Sequence, residues 1–224
     1  MARIDKMKLK AKGIMLDLDG TIVDSREAYK EAARIAFLTL GQKAPNPQTF
    51  LEIPRRLEQS KPVADIISGN VTNFLDVYLK TFYSITNKKT KPLPNVQVAL
   101  RNLSQQAKLA LITMRFVPKL QIIRELEQFS LESYFKYIVT ALEIHKPKPS
   151  PEALIKIVRA LDVDICDCVI VGDSVIDVRA GKAAGTKTVA VLSGLFSYDE
   201  LSSEQPDLIL DNVTKLPDYV DSAS

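Results

Sequence analysis

An α/β fold, with a parallel sheet covered by helices on both faces and an all-helical subdomain inserted after the first strand, is the architecture this sequence predicts. Two observations carry the expectation. Short apolar runs recur along the chain with helical patterns between the later ones, and from residue 25 to about residue 94 the strand signal disappears and helical spacing takes over. A third observation, acidic side chains placed where the apolar runs stop, bears on function.

The first run is "GIMLDL" at 13 to 18. It is followed by "KLALIT" at 108 to 113, "YIVTA" at 137 to 141, "CVIVG" at 168 to 172, "KTVAVL" at 187 to 192 and "DLIL" at 207 to 210. Runs this short and this continuously apolar read as strands buried on both faces. Between them, Val96, Leu100 and Leu103, then Leu120, Ile123 and Leu126, then Ala153, Leu154, Ile157, Val158 and Leu161, then Val178 through Ala184, recur at helical spacing. Within the insertion the same spacing joins Ala28, Ala32, Ile35 and Phe37, and later Val71, Phe74, Leu75, Tyr78 and Phe82. Its exit, "NKKTKPLPN" at 87 to 95, carries prolines that cannot continue a helix, as suits a linker. The expected division is a core of residues 1–24 and 95–224 and an inserted helical subdomain of residues 25–94.

Composition excludes several classes. With 46% hydrophobic and 25% charged residues the chain is far from the disordered range. A net charge of +3, from 30 basic and 27 acidic residues, is too small to mark a nucleic-acid surface. No stretch approaches the roughly 18 apolar residues of a membrane span, and the basic N-terminus lacks the apolar segment of a signal peptide, so a cytoplasmic location is expected. Cys166 and Cys168, one residue apart, make neither a disulfide framework nor a complete zinc site and read as structural thiols. A single histidine, His145, read as a partly buried loop residue, removes chemistry built on several imidazoles.

In an open parallel sheet, ligands bind beyond the carboxyl ends of the strands. Those positions hold Asp17 and Asp19 after the first run, Thr113, Met114 and Arg115 after the second, "HKPKPSPE" after the third, and Asp173, Ser174 and Asp177 after the fourth. Asp17, Asp19, Asp173 and Asp177 cannot share one crevice cheaply without positive charge. A hard divalent cation such as Mg²⁺, which takes oxygen ligands, is the natural partner, with lysine supplying the rest. Such a site would attract a phosphate, and an aspartate needs no histidine to activate it, being ionised at neutral pH. The solvated strand end is the bland alternative for Asp17 and Asp19, since Asp-Gly is also a common turn.

"DLDGT" at 17 to 21, Thr113 after an apolar strand, "KPKPSP" at 146 to 151 and "GDSVID" at 172 to 177 together resemble the four ordered motifs of the haloacid dehalogenase superfamily. The likeness runs from about residue 12 to residue 218. It includes "AGKAAGTKTVAVLSG", similar to the phosphoglycolate phosphatase-like branch, and implies a Rossmann-like core with a helical cap. The resemblance implies Asp17 as the nucleophile and a Mg²⁺ ligand, and Asp19 as general acid and base whose backbone carbonyl also touches the metal. Gly20 would permit the turn, Thr113 and the amide of Met114 at a helix start would bind phosphate, and Lys146 would steady nucleophile and phosphate. Asp173 would ligate Mg²⁺ directly, while Asp177 would act through water or orient the lysine. Lys146 and Lys148 both precede prolines, and the family's lysine-proline-any-proline pattern is assigned to Lys146. Arg115 departs from the branch, where small or amide residues follow the threonine; it either contacts phosphate or pairs with a surface acid. Arg55 and Arg56, in "EIPRRLEQ" at 52 to 59, are the candidates for reading an anionic substrate tail. The expected enzyme is a Mg²⁺-dependent phosphatase of a small phosphorylated metabolite, with phosphoglycolate as leading substrate, acting as a monomer or homodimer without nucleic acid or membrane. A phosphomutase of the beta-phosphoglucomutase type and a silent binding module are the alternatives.

Overall fold

A computed structural model describes residues 8–222. Contacts divide the chain into two compact units, one running to Ile22 and resuming at Pro92, the other spanning Val23–Lys91.

The larger unit is built on six parallel strands: β1 (Gly13–Asp17), β2 (Lys108–Thr113), β3 (Phe135–Thr140), β4 (Cys168–Gly172), β5 (Lys187–Val191) and β6 (Leu208–Leu210). Their spatial order is β3-β2-β1-β4-β5-β6. Every residue of β1 and β4 is buried, which is why, Asp17 apart, these strands carry no polar side chain and do not alternate. Helices in the crossovers of this unit include α4 (Val96–Gln106), α5 (Lys119–Gln128), α6 (Glu152–Leu161) and α7 (Val175–Ala184). On α6 the five apolar residues singled out from the sequence are all buried, packed with Met15, Ala110, Ile112, Val139 and Ile170 of the sheet. Truncating one of the leucines, as in Leu154→Ala, would cost about 2–5 kcal/mol.

On α5 the sequence stripe is corrected. Leu120 is exposed, and the buried line runs through Ile122, Glu125 and Leu126, so the helix is turned from the expected face and draws a carboxylate inside. The physical reason is an ion pair from Glu125 to Arg115, described below.

Strand order reverses beside β1, between β2 and β4. Topology of this kind opens a crevice at the carboxyl ends of the strands on either side of the reversal. Register sets the height of the side chains there: Asp17 lies opposite Ile112 of β2, and Leu16 opposite Val171 of β4. Asp17, Thr113 and Asp173 therefore emerge within about one residue of each other along the sheet.

The smaller unit contains α1 (Arg26–Thr39), α2 (Glu52–Glu58) and α3 (Val71–Lys89). On α3, Phe74, Tyr78, Phe82 and Thr86 recur every fourth residue and form its buried line. Tyr29 of α1 stacks on Phe82 with ring centroids 4.6 Å apart, and Phe37 of α1 meets Phe74 at 4.6 Å. This aromatic seam is the unit's own core. Among the described residues no helix is long and apolar enough to cross a membrane.

Candidate active site

Asp17 closes β1, and its side chain is almost fully buried. Its Oδ1 accepts a hydrogen bond from Lys148 Nζ at 2.6 Å, and the same ammonium donates to Asp177 Oδ1 at 2.5 Å. Lys146 is corrected by this geometry: it is exposed on the same loop, with its backbone N–H bonded to Glu152, whereas Lys148 is the buried cation between the two acids. Both registers of "KPKPSP" satisfy lysine-proline-any-proline, so the pattern alone could not separate them. The helix could have done so. Glu152 begins α6, and its carboxylate accepts the N–H groups of His145 and Lys146 at 2.7 and 2.9 Å, which folds the loop back and sends Lys148 inward. His145, expected to be partly buried, is exposed.

Carboxylate oxygens of Asp17, Asp173 and Asp177 all lie within 4.8 Å of one another, and all three residues are buried. Asp177 sits in the first turn of α7, where its Oδ2 accepts the Ser174 N–H at 3.2 Å while its other oxygen receives Lys148. Of the two roles expected for Asp177, orienting the lysine is the one with direct contact. Asp173 occupies a cradle without side-chain bulk. A Cβ on Gly20 would lie 2.5 Å from its carboxyl carbon, and one on Gly194 would lie 1.6 Å from its Oδ2. Gly20 also has φ of +82°, a left-handed conformation that glycine adopts without strain. Thr21 Oγ1 donates to Asp173 Oδ1 at 3.3 Å, and Ser193 Oγ donates to the Gly20 carbonyl at 2.6 Å. Thr21, Ser193 and Gly194 were not singled out from the sequence, because residues that shape a cradle carry no motif chemistry of their own.

Although its charge also bears on Asp17, Asp19 is held by a different cation. Arg115 Nε donates to its Oδ2 at 2.8 Å and Nη2 to its Oδ1 at 2.6 Å, while Nη1 donates to Glu125 Oε2 at 2.6 Å. Arg115 thus pairs with a site acid and with a buried one, where a surface acid or a phosphate had been expected. Glu125 was missed because a carboxylate on the inner face of an amphipathic helix leaves no sequence signal. Thr113 is buried at the end of β2, its Oγ1 accepting the Arg115 N–H at 3.2 Å. Met114 follows, with its side chain packed on the cluster of Val175, Ile176 and Phe196. Its amide is corrected from the expected helix start, since α5 begins only at Lys119, after Pro118. Arg55 and Arg56 are engaged within the helical unit, Arg55 with Glu52 at 3.0 Å and Arg56 with Asp65 at 2.6 Å.

Charges in the larger unit decide the chemistry. Burial is the largest influence on Asp17 and pushes its carboxyl up; Lys148 opposes this and Asp177 adds to it, leaving Asp17 at about 7. Burial alone would drive Lys148 toward its neutral form, but Asp17 and Asp177 outweigh it and hold the ammonium above lysine's ordinary range. Arg115 is likewise held charged by Asp19 and Glu125 against its own burial. Five carboxylates, at Asp17, Asp19, Asp173, Asp177 and Glu125, face two cations, a formal excess of three negative charges. An all-oxygen donor set with that excess fits a hard divalent cation such as Mg²⁺.

Residues 14–191 match the family model described as haloacid dehalogenase-like hydrolase. The chain belongs to the haloacid dehalogenase-like hydrolases. Two curated relatives, both phosphoglycolate phosphatases from strains of Pseudomonas fluorescens, are 29% identical over 94% of this chain and 80% of their own length, and 30% identical over 91% and 77%. A haloacid dehalogenase-like hydrolase structure from Streptococcus pneumoniae shares the fold with a TM-score of 0.81 at 20% identity, over 93% of this chain and 98% of its own. This hydrolase is therefore an enzyme of the phosphatase kind, and the buried acids around Asp17 lie within the matched segment.

Proposed function

We propose that this hydrolase cleaves a small phosphomonoester, 2-phosphoglycolate being the first candidate, through an aspartyl-phosphate on Asp17. The observation that carries the reading is the Asp17–Lys148–Asp177 chain beside Asp173: a carboxylate at a strand end, held by a buried ammonium and next to a second acid with room for a metal. Asp17 and Asp173 would hold Mg²⁺, with Asp177 beside them. When bound, the ion supplies charge neutralisation for phosphoryl oxygens and for the carboxylates themselves.

Asp17 attacks phosphorus with one oxygen as the phosphorus–ester oxygen bond breaks, and the departing oxygen takes the proton of Asp19, which enters this step in its neutral form. Asp19 then takes a proton from water as that water attacks the phosphorus of the acyl phosphate, which frees Asp17 and inorganic phosphate. Lys148 keeps the nucleophile oriented and meets the phosphoryl charge as it develops. Thr113 Oγ1, on the last residue of β2, and the Met114 amide just beyond it are the neutral donors for the phosphoryl oxygens. The identity of the ester rests on the two phosphoglycolate phosphatase relatives, because a fold by itself does not choose substrates.

Phosphate release from phosphoglycolate, sugar phosphates, nucleotides and pyrophosphate, measured with Mg²⁺ and with excess EDTA, tests the reading. One preferred monoester that loses turnover in EDTA supports it. Transfer of phosphate between sugar positions without net release would replace hydrolysis with mutase chemistry.

A further inference from the structure

The triad Asp19–Arg115–Glu125 is built more firmly than an incidental ion pair. Side chains of Arg115 and Glu125 are 3% and 2% exposed, and that of Asp19 is 12% exposed. The backbone of Arg115 is fixed on both sides: its N–H donates to Thr113 Oγ1 at 3.2 Å, and its carbonyl accepts the Ala141 N–H at 3.2 Å. Three of its guanidinium nitrogens are spent, two on Asp19 and one on Glu125. Burying a glutamate on the inner face of α5 is costly unless it is paired, so its pairing to this arginine is the feature to be explained.

We infer that Arg115 is a positioning residue for Asp19, and that Glu125 anchors Arg115 so that the fork can present the Asp19 carboxylate in one orientation. The inference rests on the assignment of Asp19 as the acid that protonates the leaving oxygen. A bidentate guanidinium fixes the plane of a carboxylate, which a single ammonium cannot do. Anchoring at Nη1 stops the fork from turning away. The fork bonds Asp19 directly, whereas Lys148 bonds Asp17 and Asp177, so a change at Arg115 reaches proton delivery first.

The consequence is a dependence on leaving group. Esters of alkyl alcohols need a proton on the departing oxygen, whereas acetyl phosphate and 4-nitrophenyl phosphate release stable anions. The assay is kcat/KM, which reports events up to departure of the leaving group, for an alkyl phosphate such as 2-phosphoglycolate and for the two activated phosphates. Arg115→Lys is expected to lower the alkyl value by about 10- to 100-fold, a part of what a general acid contributes, with a loss at least tenfold smaller on the activated phosphates. Glu125→Gln keeps the shape of α5 and covers the case in which Arg115→Lys does not fold; the same selectivity is expected in weaker form. Asp19→Asn is measured alongside. If Asp19→Asn is selective and both other variants lower all substrates alike, positioning by Arg115 is overturned and the pair is structural only. If Asp19→Asn itself shows no selectivity, the acid assignment fails and the inference fails with it.

Discussion

Replacing Lys148 by methionine keeps most of the apolar stem of the side chain and removes its charge. In the structure this breaks two short charge-assisted hydrogen bonds, 2.6 Å to Asp17 and 2.5 Å to Asp177, at a fully buried position. Each such bond contributes about 1.5–3 kcal/mol, giving roughly 3–6 kcal/mol, and breaking a buried pair costs about 3–5 kcal/mol by itself. Because Asp17 already lies at about 7, it can take a proton near neutral pH instead of remaining charged and unpaired. The lower end, about 3 kcal/mol, is therefore expected. For a chain of 224 residues that corresponds to a fall in Tm of roughly 6–12 °C. Loss of a charge aimed at the phosphoryl group should also lower kcat by about 10²–10³-fold. Lys146→Ala is the paired control: exposed and without a side-chain contact to the acids, it should shift stability by less than about 0.5 kcal/mol. Thermal unfolding and steady-state phosphate release read both variants. The reasoning is refuted if Lys146→Ala loses activity by 10²-fold while Lys148→Met keeps it.

Further expectations concern the metal cluster and its acids. Asp173→Asn should chiefly raise the Mg²⁺ concentration needed for half-maximal activity; an unchanged titration would remove this residue from the ligands. Gly194→Ala places a methyl 1.6 Å from Asp173 Oδ2, so the carboxylate must move, and if about 1–3 kcal/mol of packing strain is felt in the transition state, activity at saturating Mg²⁺ should fall by roughly 5- to 150-fold. Full activity in that variant would show the cradle to be loose. Asp17 also sets a pH dependence. Its folded value of about 7 lies above the ordinary 3.8, so between those limits the folded state holds a proton that the unfolded state has lost, and stability falls as pH rises. Metal-free protein should therefore lose Tm from pH 5 to pH 8, and Mg²⁺ should restore more of it at pH 8 than at pH 5. A metal-free Tm that climbs over this range, with no Mg²⁺ effect, would contradict the sign. Carboxylates paired with surface arginines, Asp24, Glu31 and Asp65, are held low and change the balance only at more acid pH.

Much of the core was legible because its strands are buried on both faces. "GIMLDL", "CVIVG" and "KTVAVL" leave few alternatives to a parallel sheet, and acids placed at their ends report the crevice directly. Less legible was everything decided by side chains meeting across the sheet. "KPKPSP" offers two lysines to one motif, and only the grip of Glu152 on the loop selects Lys148. The stripe on α5 misled because Glu125 is stabilised inside by an arginine ten residues earlier, and hydrophobic spacing treats a buried glutamate as exposed. Asp19 and Arg115 lie 96 residues apart, a pairing no local pattern could announce.

Trapping the covalent intermediate tests the central claim most directly. The enzyme with Mg²⁺ and phosphoglycolate, or whichever ester the panel prefers, is quenched in acid during turnover and its peptides are weighed, for wild type and for Asp19→Asn, whose acyl phosphate should break down slowly. A phosphoryl group on the peptide carrying Asp17, lost on treatment with hydroxylamine and absent from Asp17→Asn, is the predicted result. Turnover with no phosphoryl group on Asp17 in either form, or with the group on another residue, would contradict the mechanism.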